Sequence, residues 1–391
     1  MLISRKQEKN IQKYLLPNKV VIIYGPRRVG KTTLVNKYLE SNVKKGDYLY
    51  LSGESIETQE GLSSQSIEKL KSYIGDKKIL VIDEAQKIKN IGLNLKLIID
   101  HVPEIKIIAT GSSAFDLASQ VGEPLTGRKF TLKLFPLAQM EIKEIENLFQ
   151  TEANLENRLI FGAYPEIVIA NGFEIKIKLL QEIINSYLYK DILEFNGIRH
   201  SEKIVKLLQL LAFQIGKEVH LTELGAQLGM NKKTVERYLE LLEKSFVIFH
   251  LTGFSRNLRK EISKSWRYYF YDNGIRNALI GNFNPSSRRD DMGMLWENYI
   301  VMERLKKQAY NEIVSNNYFW RTYDQKEIDW VEEREGELHG YEIKWGKPCG
   351  IASGSIQQGK GKTKPPKDWL ETYKNAKYKT INKENYLEFI I

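Results

Sequence analysis

Cysteine is nearly absent: Cys349 is the only one in 391 residues. A single thiol makes no intrachain disulfide and no thiolate zinc cluster, and it fits a reducing compartment. Long apolar runs are missing too, and none approaches the roughly 18 residues of a membrane-spanning helix. Residues 1–10 are polar and mixed in charge, without the apolar stretch of a signal peptide. These absences predict a cytoplasmic protein with no membrane attachment. No internal repeat is present. Charge is not one-sided: 59 Lys and Arg stand against 49 Asp and Glu, a net +10. That excess suits nucleic acid or another polyanion. Lysines spread along many solvated helix faces would produce the same number, so charge alone selects no partner.

What is present is the make-up of ordinary globular domains, 42% hydrophobic and 28% charged residues. The length predicts two or three domains. Residues 1–136 alternate short β-branched runs with helical patterns. Segments 20–24, 48–51, 79–82 and 105–109 read as buried parallel strands, and 33–41 and 67–74 as helices. That order predicts an α/β sheet covered by helices on both faces. Residues 137–211 turn helical and are interrupted at Pro165. Residues 212–266 read as helix, turn, helix and hairpin, and 267–391 mix strands and helices again. Segment 346–367 is rich in Gly, Ser, Pro and Lys and reads as a mobile loop. Residues 386–391 read as a final strand.

The run Gly25-Pro26-Arg27-Arg28-Val29-Gly30-Lys31-Thr32, followed by Thr33, has two glycines spaced for a phosphate-binding loop, then Lys and a hydroxyl residue. Glycines let the backbone curl so that several N–H groups face one phosphate cluster. The helix beginning at Lys31 aims its positive end at the same place. Lys31 is expected on the β- and γ-phosphates of ATP and Thr32 on Mg²⁺. A second element is expected on a neighbouring strand. Residues 78–84, KILVIDE, supply an apolar strand with two carboxylates at its C-terminal edge, where open α/β sheets bind ligands. Asp83 is expected to hold Mg²⁺, and Glu84 to orient and deprotonate the attacking water. The strand ending Thr110-Gly111-Ser112-Ser113 offers a γ-phosphate sensor, with Ser112 preferred to Thr110. Arg128 is a candidate for stabilising transition-state charge on this or a neighbouring subunit's nucleotide, or is a plain surface arginine.

The strings GPRRVGKTT, LVIDEAQ, IIATGSS and LTGR followed by LFPL resemble the prokaryotic AAA-type P-loop ATPases. They are most similar to the subgroup with a winged helix and a C-terminal restriction-endonuclease-like domain. The resemblance covers nearly the whole chain and implies an AAA-like ATPase core in which Lys31, Thr32, Asp83 and Glu84 hold the roles just argued. Segment Phe161-Gly162-Ala163-Tyr164-Pro165 looks like that subgroup's helix break.

In the middle segment Thr222 is expected to cap one helix, Gly229 to turn the chain, and Asn231 to cap a second helix. Lys232, Lys233 and Arg237 lie off the apolar face of that second helix, as phosphate or base contacts would. Segment 246–251 reads as the wing hairpin. The same residues also suit a winged helix that packs only against protein. In the last segment Asp329 precedes Glu342, one apolar residue and Lys344. Alternate strand residues share a face, so Glu342 and Lys344 point one way and Asp329 joins them from the adjacent strand. Two carboxylates and a lysine suit a metal-dependent nuclease, with Glu297 from a helix completing the set. This pattern resembles the restriction-endonuclease-like signature, and many domains of that fold bind without cutting.

The function expected is therefore a Mg²⁺-dependent ATPase acting with DNA. The alternative is an ATP-dependent switch for protein partners with an inactive nuclease-like domain. Oligomerisation is open. A small-molecule kinase is disfavoured, because no acceptor site or arginine-rich lid is visible.

Overall fold

The computed structural model describes residues 3–111, 124–185, 201–255, 265–322, 326–346 and 365–391. The chain gathers into two units. The first comprises Met1–Leu137, Tyr164–Ile169 and Leu241–Val247. The second comprises Ala138–Ala163, Ala170–Glu240 and Ile248–Ile391.

The first unit runs α1 (Gln7–Tyr14), β1 (Lys19–Tyr24), α2 (Lys31–Asn42), β2 (Tyr48–Ser52), α3 (Ile56–Leu62), α4 (Ile67–Ile74), β3 (Ile79–Asp83), α5 (Ile91–His101), β4 (Lys106–Gly111) and β5 (Lys129–Lys133). All its strands are parallel, in the order β2-β3-β4-β1-β5. Val20 to Ile23 are β-branched and fully buried, which suits a strand covered on both faces. The sheet has five strands where the sequence pattern gives four. β5, KFTLK, alternates and keeps lysines at both ends because it is an edge strand, so it lacks an apolar run. β2 is half-buried at every position, being the other edge, and not fully buried as its pattern suggests.

The second unit begins with α6 (Gln139–Ile142), α7 (Leu148–Ala153) and α8 (Leu155–Phe161). The chain then passes through α9 (Pro165–Ile169), which belongs to the first unit. Next come α10 (Phe173–Ile183), α11 (Ser201–Phe213), β6 (Glu218–Val219), α12 (Leu221–Leu228), α13 (Lys232–Lys244), β7 (Ile248–Gly253) and β8 (Trp266–Phe270). The chain ends with α14 (Asn273–Leu279), α15 (Met292–Tyr310), β9 (Asn316–Arg321), β10 (Glu327–Arg334), β11 (Glu337–Ile343), α16 (Lys367–Thr372), β12 (Lys377–Ile381) and α17 (Tyr386–Ile390).

Strands β6 to β12 form one seven-stranded sheet, β12-β11-β10-β9-β7-β8-β6. The segments read as 212–266 and 267–391 therefore share a sheet, joined where β7 runs parallel to β9 at Thr252–Tyr318 and Gly253–Phe319. Phe254, Trp320, Ile328, Val331, Leu338, Trp369 and Tyr373 pack as a core on this sheet.

Several local expectations change. Asn231 caps α13, accepting from the Thr234 N–H at 2.8 Å, and Gly229 ends α12 in the left-handed conformation. Thr222, however, lies inside the first turn of α12, whose N-cap is His220. The hairpin forms between β7 and β8, not within 246–251, because residue 247 still continues the turn after α13. Residues 386–390 are helical. Asn382 and Asn385 accept backbone N–H bonds from Glu384 and Asn382, respectively, and turn the chain out of β12 into this helix. Most of the loop at 346–367 lies outside the described residues. Among the described residues, no helix is long and apolar enough to cross a membrane.

Candidate functional site

β1 delivers Gly25 to the C-terminal edge of the parallel sheet. A Cβ at Gly25 would stand 2.1 Å from the Leu134 carbonyl oxygen, so only glycine lets the loop lie this close. Arg28 at φ 61° and Gly30 at φ 90° then curl the chain into α2. Lys31 is buried, and its Nζ donates to the carbonyls of Gly25 at 2.9 Å and Pro26 at 3.0 Å. Its ammonium is thus held inside the loop's concavity. Thr32 and Thr33 are exposed, Val29 is buried, and Arg27 is half-buried. Arg28 reaches Glu166 of α9 at 3.4 Å, and both side chains are more than a third exposed, so this pair adds little stability.

The Thr32 hydroxyl donates to Asp83 Oδ2 at 2.8 Å. This contact joins the loop to β3, although β4 lies between β1 and β3; the carboxylate strand is next but one, not the neighbour expected. The intervening strand contributes Thr110. Its hydroxyl donates to Asp83 Oδ1 at 2.5 Å and accepts the Glu84 N–H at 3.1 Å. Thr110 is fully buried and so fixes the Asp83 carboxylate and the Glu84 backbone. Glu84 sits in the left-handed region at φ 52°, a strained conformation for a non-glycine residue and one that collects at functional sites. Its Oε2 accepts from Gln86 Nε2 at 2.5 Å. Tyr50 of β2 completes the edge. Burial first, then the Asp83 charge and a hydrogen bond to Asp83, push its phenol above the usual range.

The sequence offers Thr110 only as second choice to Ser112, which lies outside the described residues, and it misses two further supports. Tyr50 carried no motif signal. Neither did Arg5, which is buried and donates to the Val29 carbonyl and to the Phe135 carbonyl, each at 2.6 Å, clamping the loop to the segment after β5. Arg128 stands elsewhere. It precedes β5 beside the start of β1 and pairs with Asp100. Register places it a full strand from the loop, about 16 Å at 3.3 Å per residue. Arg128 therefore lies apart from the loop between β1 and α2 of its own chain. Because Thr110 anchors Asp83, Thr110→Val should lower turnover roughly 10–100-fold and change nucleotide affinity less. Steady-state kinetics read this, and an unchanged turnover would remove Thr110 from the site.

In the second unit the four residues read as a cluster do share one neighbourhood. Asp329 on β10 lies one residue beyond the Trp330–Tyr341 pair and so opposite Glu342 on β11. Lys344 Nζ pairs with Glu342 Oε1 at 2.5 Å. Glu297 of α15 accepts the Tyr269 hydroxyl at 2.8 Å. Burial first and the Asp329 charge second push both Glu297 and Glu342 above the usual carboxylate range. A residue the sequence did not flag stands among them: Arg267 of β8 is buried, 2.6 Å from Glu327 and 3.6 Å from Asp329. Lys232, Lys233 and Arg237 are exposed on α13, and Lys232 lies 3.6 Å from Glu236.

Residues 17–143 match the family model of an AAA domain. Residues 152–286 match a domain of unknown function, DUF8612, and residues 292–368 match another, DUF4143. An uncharacterized protein of Methanocaldococcus jannaschii is 27% identical over 341 residues, covering 83% of this chain and 74% of its own. An uncharacterized protein of Haemophilus influenzae is 25% identical, covering 82% and 80%. Among solved structures, the Pif1 helicase of Candida albicans is 15% identical with a TM-score of 0.26, covering 46% of this chain and 48% of its own. A DNA polymerase III gamma subunit-related protein of Thermotoga maritima is 13% identical with a TM-score of 0.27, covering 61% and 98%. Likenesses that distant carry no argument. The order of the parallel sheet, the loop between β1 and α2 and the family match agree, and the first unit is an α/β P-loop module similar to the AAA domain, in a chain whose C-terminal part is similar to DUF4143.

Proposed function

We propose that the chain is a Mg²⁺-dependent ATPase that couples nucleotide turnover to DNA binding. One observation carries the ATPase reading: Thr32 and Asp83, 51 residues apart, meet at 2.8 Å beside the buried ammonium of Lys31. A hydroxyl and a carboxylate are the hard oxygen donors that Mg²⁺ takes, so the residues fit the ion. Mg²⁺ bound by Thr32 and Asp83 would neutralise phosphate charge. Lys31 releases the Gly25 and Pro26 carbonyls and donates to the terminal phosphates. The curled backbone of 25–31 donates N–H groups to the same anion. Glu84, held in place by Thr110 and Gln86, orients a water and accepts its proton. Arg5 keeps the loop from opening. Arg128, remote from this chain's P-loop, is left to act on a neighbouring subunit's nucleotide.

The DNA reading rests on the second unit. The order α11-β6-α12-α13-β7-β8, with β6 and β7 both paired to β8, supports a winged helix whose exposed Lys232, Lys233 and Arg237 begin the recognition helix. The order α15-β9-β10-β11-α16-β12 supports a restriction-endonuclease-like domain. The net charge of +10 is compatible with a polyanionic partner. ATP hydrolysis measured with and without duplex and single-stranded DNA tests this. DNA should raise the rate, and the effect should fade as salt is raised. Reversing all three basic residues of α13 to Glu should reduce the stimulation. A rate indifferent to DNA at low salt would favour a switch for protein partners, and the DNA reading would be withdrawn.

A further inference from the structure

Nuclease chemistry at the C-terminal cluster would require a divalent ion among Glu297, Asp329 and Glu342. The donors do not fit one. Asp329 Oδ2 already accepts the Ile343 N–H at 2.8 Å, and Asp329 Oδ1 faces Arg267 Nη1 at 3.6 Å. Glu297 Oε1 takes the Tyr269 hydroxyl, and Glu342 Oε1 takes Lys344. Glu342 Oε2 is the one carboxylate oxygen of the three that is buried without a hydrogen bond. Among the described residues, no group of three or more Asp, Glu, His or Cys is arranged to hold a metal ion.

A cation is nevertheless there. The Arg267 side chain is only 4% exposed, and its guanidinium carbon lies 4.5 Å from the centre of the Phe319 ring, a favourable face for a cation. Glu327 takes one end of the fork at 2.6 Å. Glu218, the strand partner of Arg267, is engaged instead by Arg321 at 2.7 Å, so Arg267 is directed to the cluster. Arginine does not lose its proton in a protein, so this charge is permanent. A second, divalent cation beside it would meet like-charge repulsion in a site with little water to screen it.

We propose that Arg267 is the resident cation of this acidic cluster, standing in for the divalent ion of a nuclease, so that the C-terminal unit has no metal-dependent cleavage of its own. The inference does not rest on the ATPase reading, and its test uses nucleotide-free full-length chain. Mn²⁺ is the probe, with the free ion followed by electron paramagnetic resonance. Wild type and Asp329→Asn should give the same binding curve, because any Mn²⁺ near Asp83 is common to both and cancels. Arg267→Met, which keeps an apolar stem over Phe319, should gain one further equivalent of Mn²⁺ per chain. Arg267→Met combined with Asp329→Asn should lose it again. A wild-type equivalent that disappears in Asp329→Asn would overturn the proposal. So would a folded Arg267→Met, checked by circular dichroism, that gains nothing. Should Arg267→Met fail to fold, the comparison of wild type with Asp329→Asn still decides. Plasmid incubated with wild type and Mn²⁺ should stay uncut, and cutting abolished by Asp329→Asn would equally refute it.

Discussion

Glu84→Gln should bind ATP about as tightly as wild type and hydrolyse it roughly 10²–10⁴-fold more slowly, the range for loss of a general base. The glutamine keeps the size of the side chain and its contact with Gln86 Nε2, and loses only the capacity to take a proton. Lys31→Ala should fail earlier, at binding. Its ammonium is the buried positive charge of the loop, and removing it leaves the Gly25 and Pro26 carbonyls without their donor as well. Losing one preorganised charge of this kind is worth about 10²–10³ in rate even where binding survives. Equilibrium binding of a fluorescent ATP analogue, with phosphate release on the same samples, separates the two. Normal turnover in Glu84→Gln would move the base elsewhere on the β3–β4 edge. Normal ATP binding in Lys31→Ala would undo the P-loop assignment.

The second large effect is structural and lies away from the nucleotide. Gly162→Ala should destabilise the second unit by about 4 kcal/mol or more, the tail of single substitutions reserved for broken buried networks. Gly162 has φ 75° and ψ −159°, a region essentially closed to other residues. A Cβ there would stand 1.9 Å from Asp272 Oδ1. That carboxylate is buried and accepts three backbone N–H groups, from Ala163 at 2.7 Å, Gly274 at 2.8 Å and Ile275 at 3.2 Å. Moving it orphans all three in a dry site. Asn277 ties the same segment down by donating to the carbonyls of Leu159 and Ile160. The helix end at 159–163 is thus the docking point for the N-terminus of α14. Gly281→Ala is the control. It has φ 65° with nothing within 4 Å of its Cβ, so it should lose only about 1–2 kcal/mol of backbone strain. Thermal melts of both variants check this, and equal melting points would mean that the Asp272 cap is not under compression at Gly162.

Reading the chain alone located the glycine-rich loop before α2 and the acidic strand, because their physics is local. Two glycines with four residues between them, a lysine and a threonine lie in one short run, and β3 declares itself by the unbroken apolar run Ile79 to Ile82. The cap at Asn231 and the turn at Gly229 were legible for the same reason. The edge strand β5 was not, since a half-exposed strand with lysines lacks the run that marks a buried one.

What the tertiary structure alone decided were the partners that approach from far along the chain. Arg5 meets Val29 and Phe135, Thr110 meets Asp83, and Arg267 meets Asp329. The position of Arg128 at the far end of β1 is likewise a matter of strand register, which no motif encodes. The residue types of a site follow from chemistry written in short segments. Which neighbour satisfies each buried charge depends on strand order and burial, and those exist only once the sheets have formed.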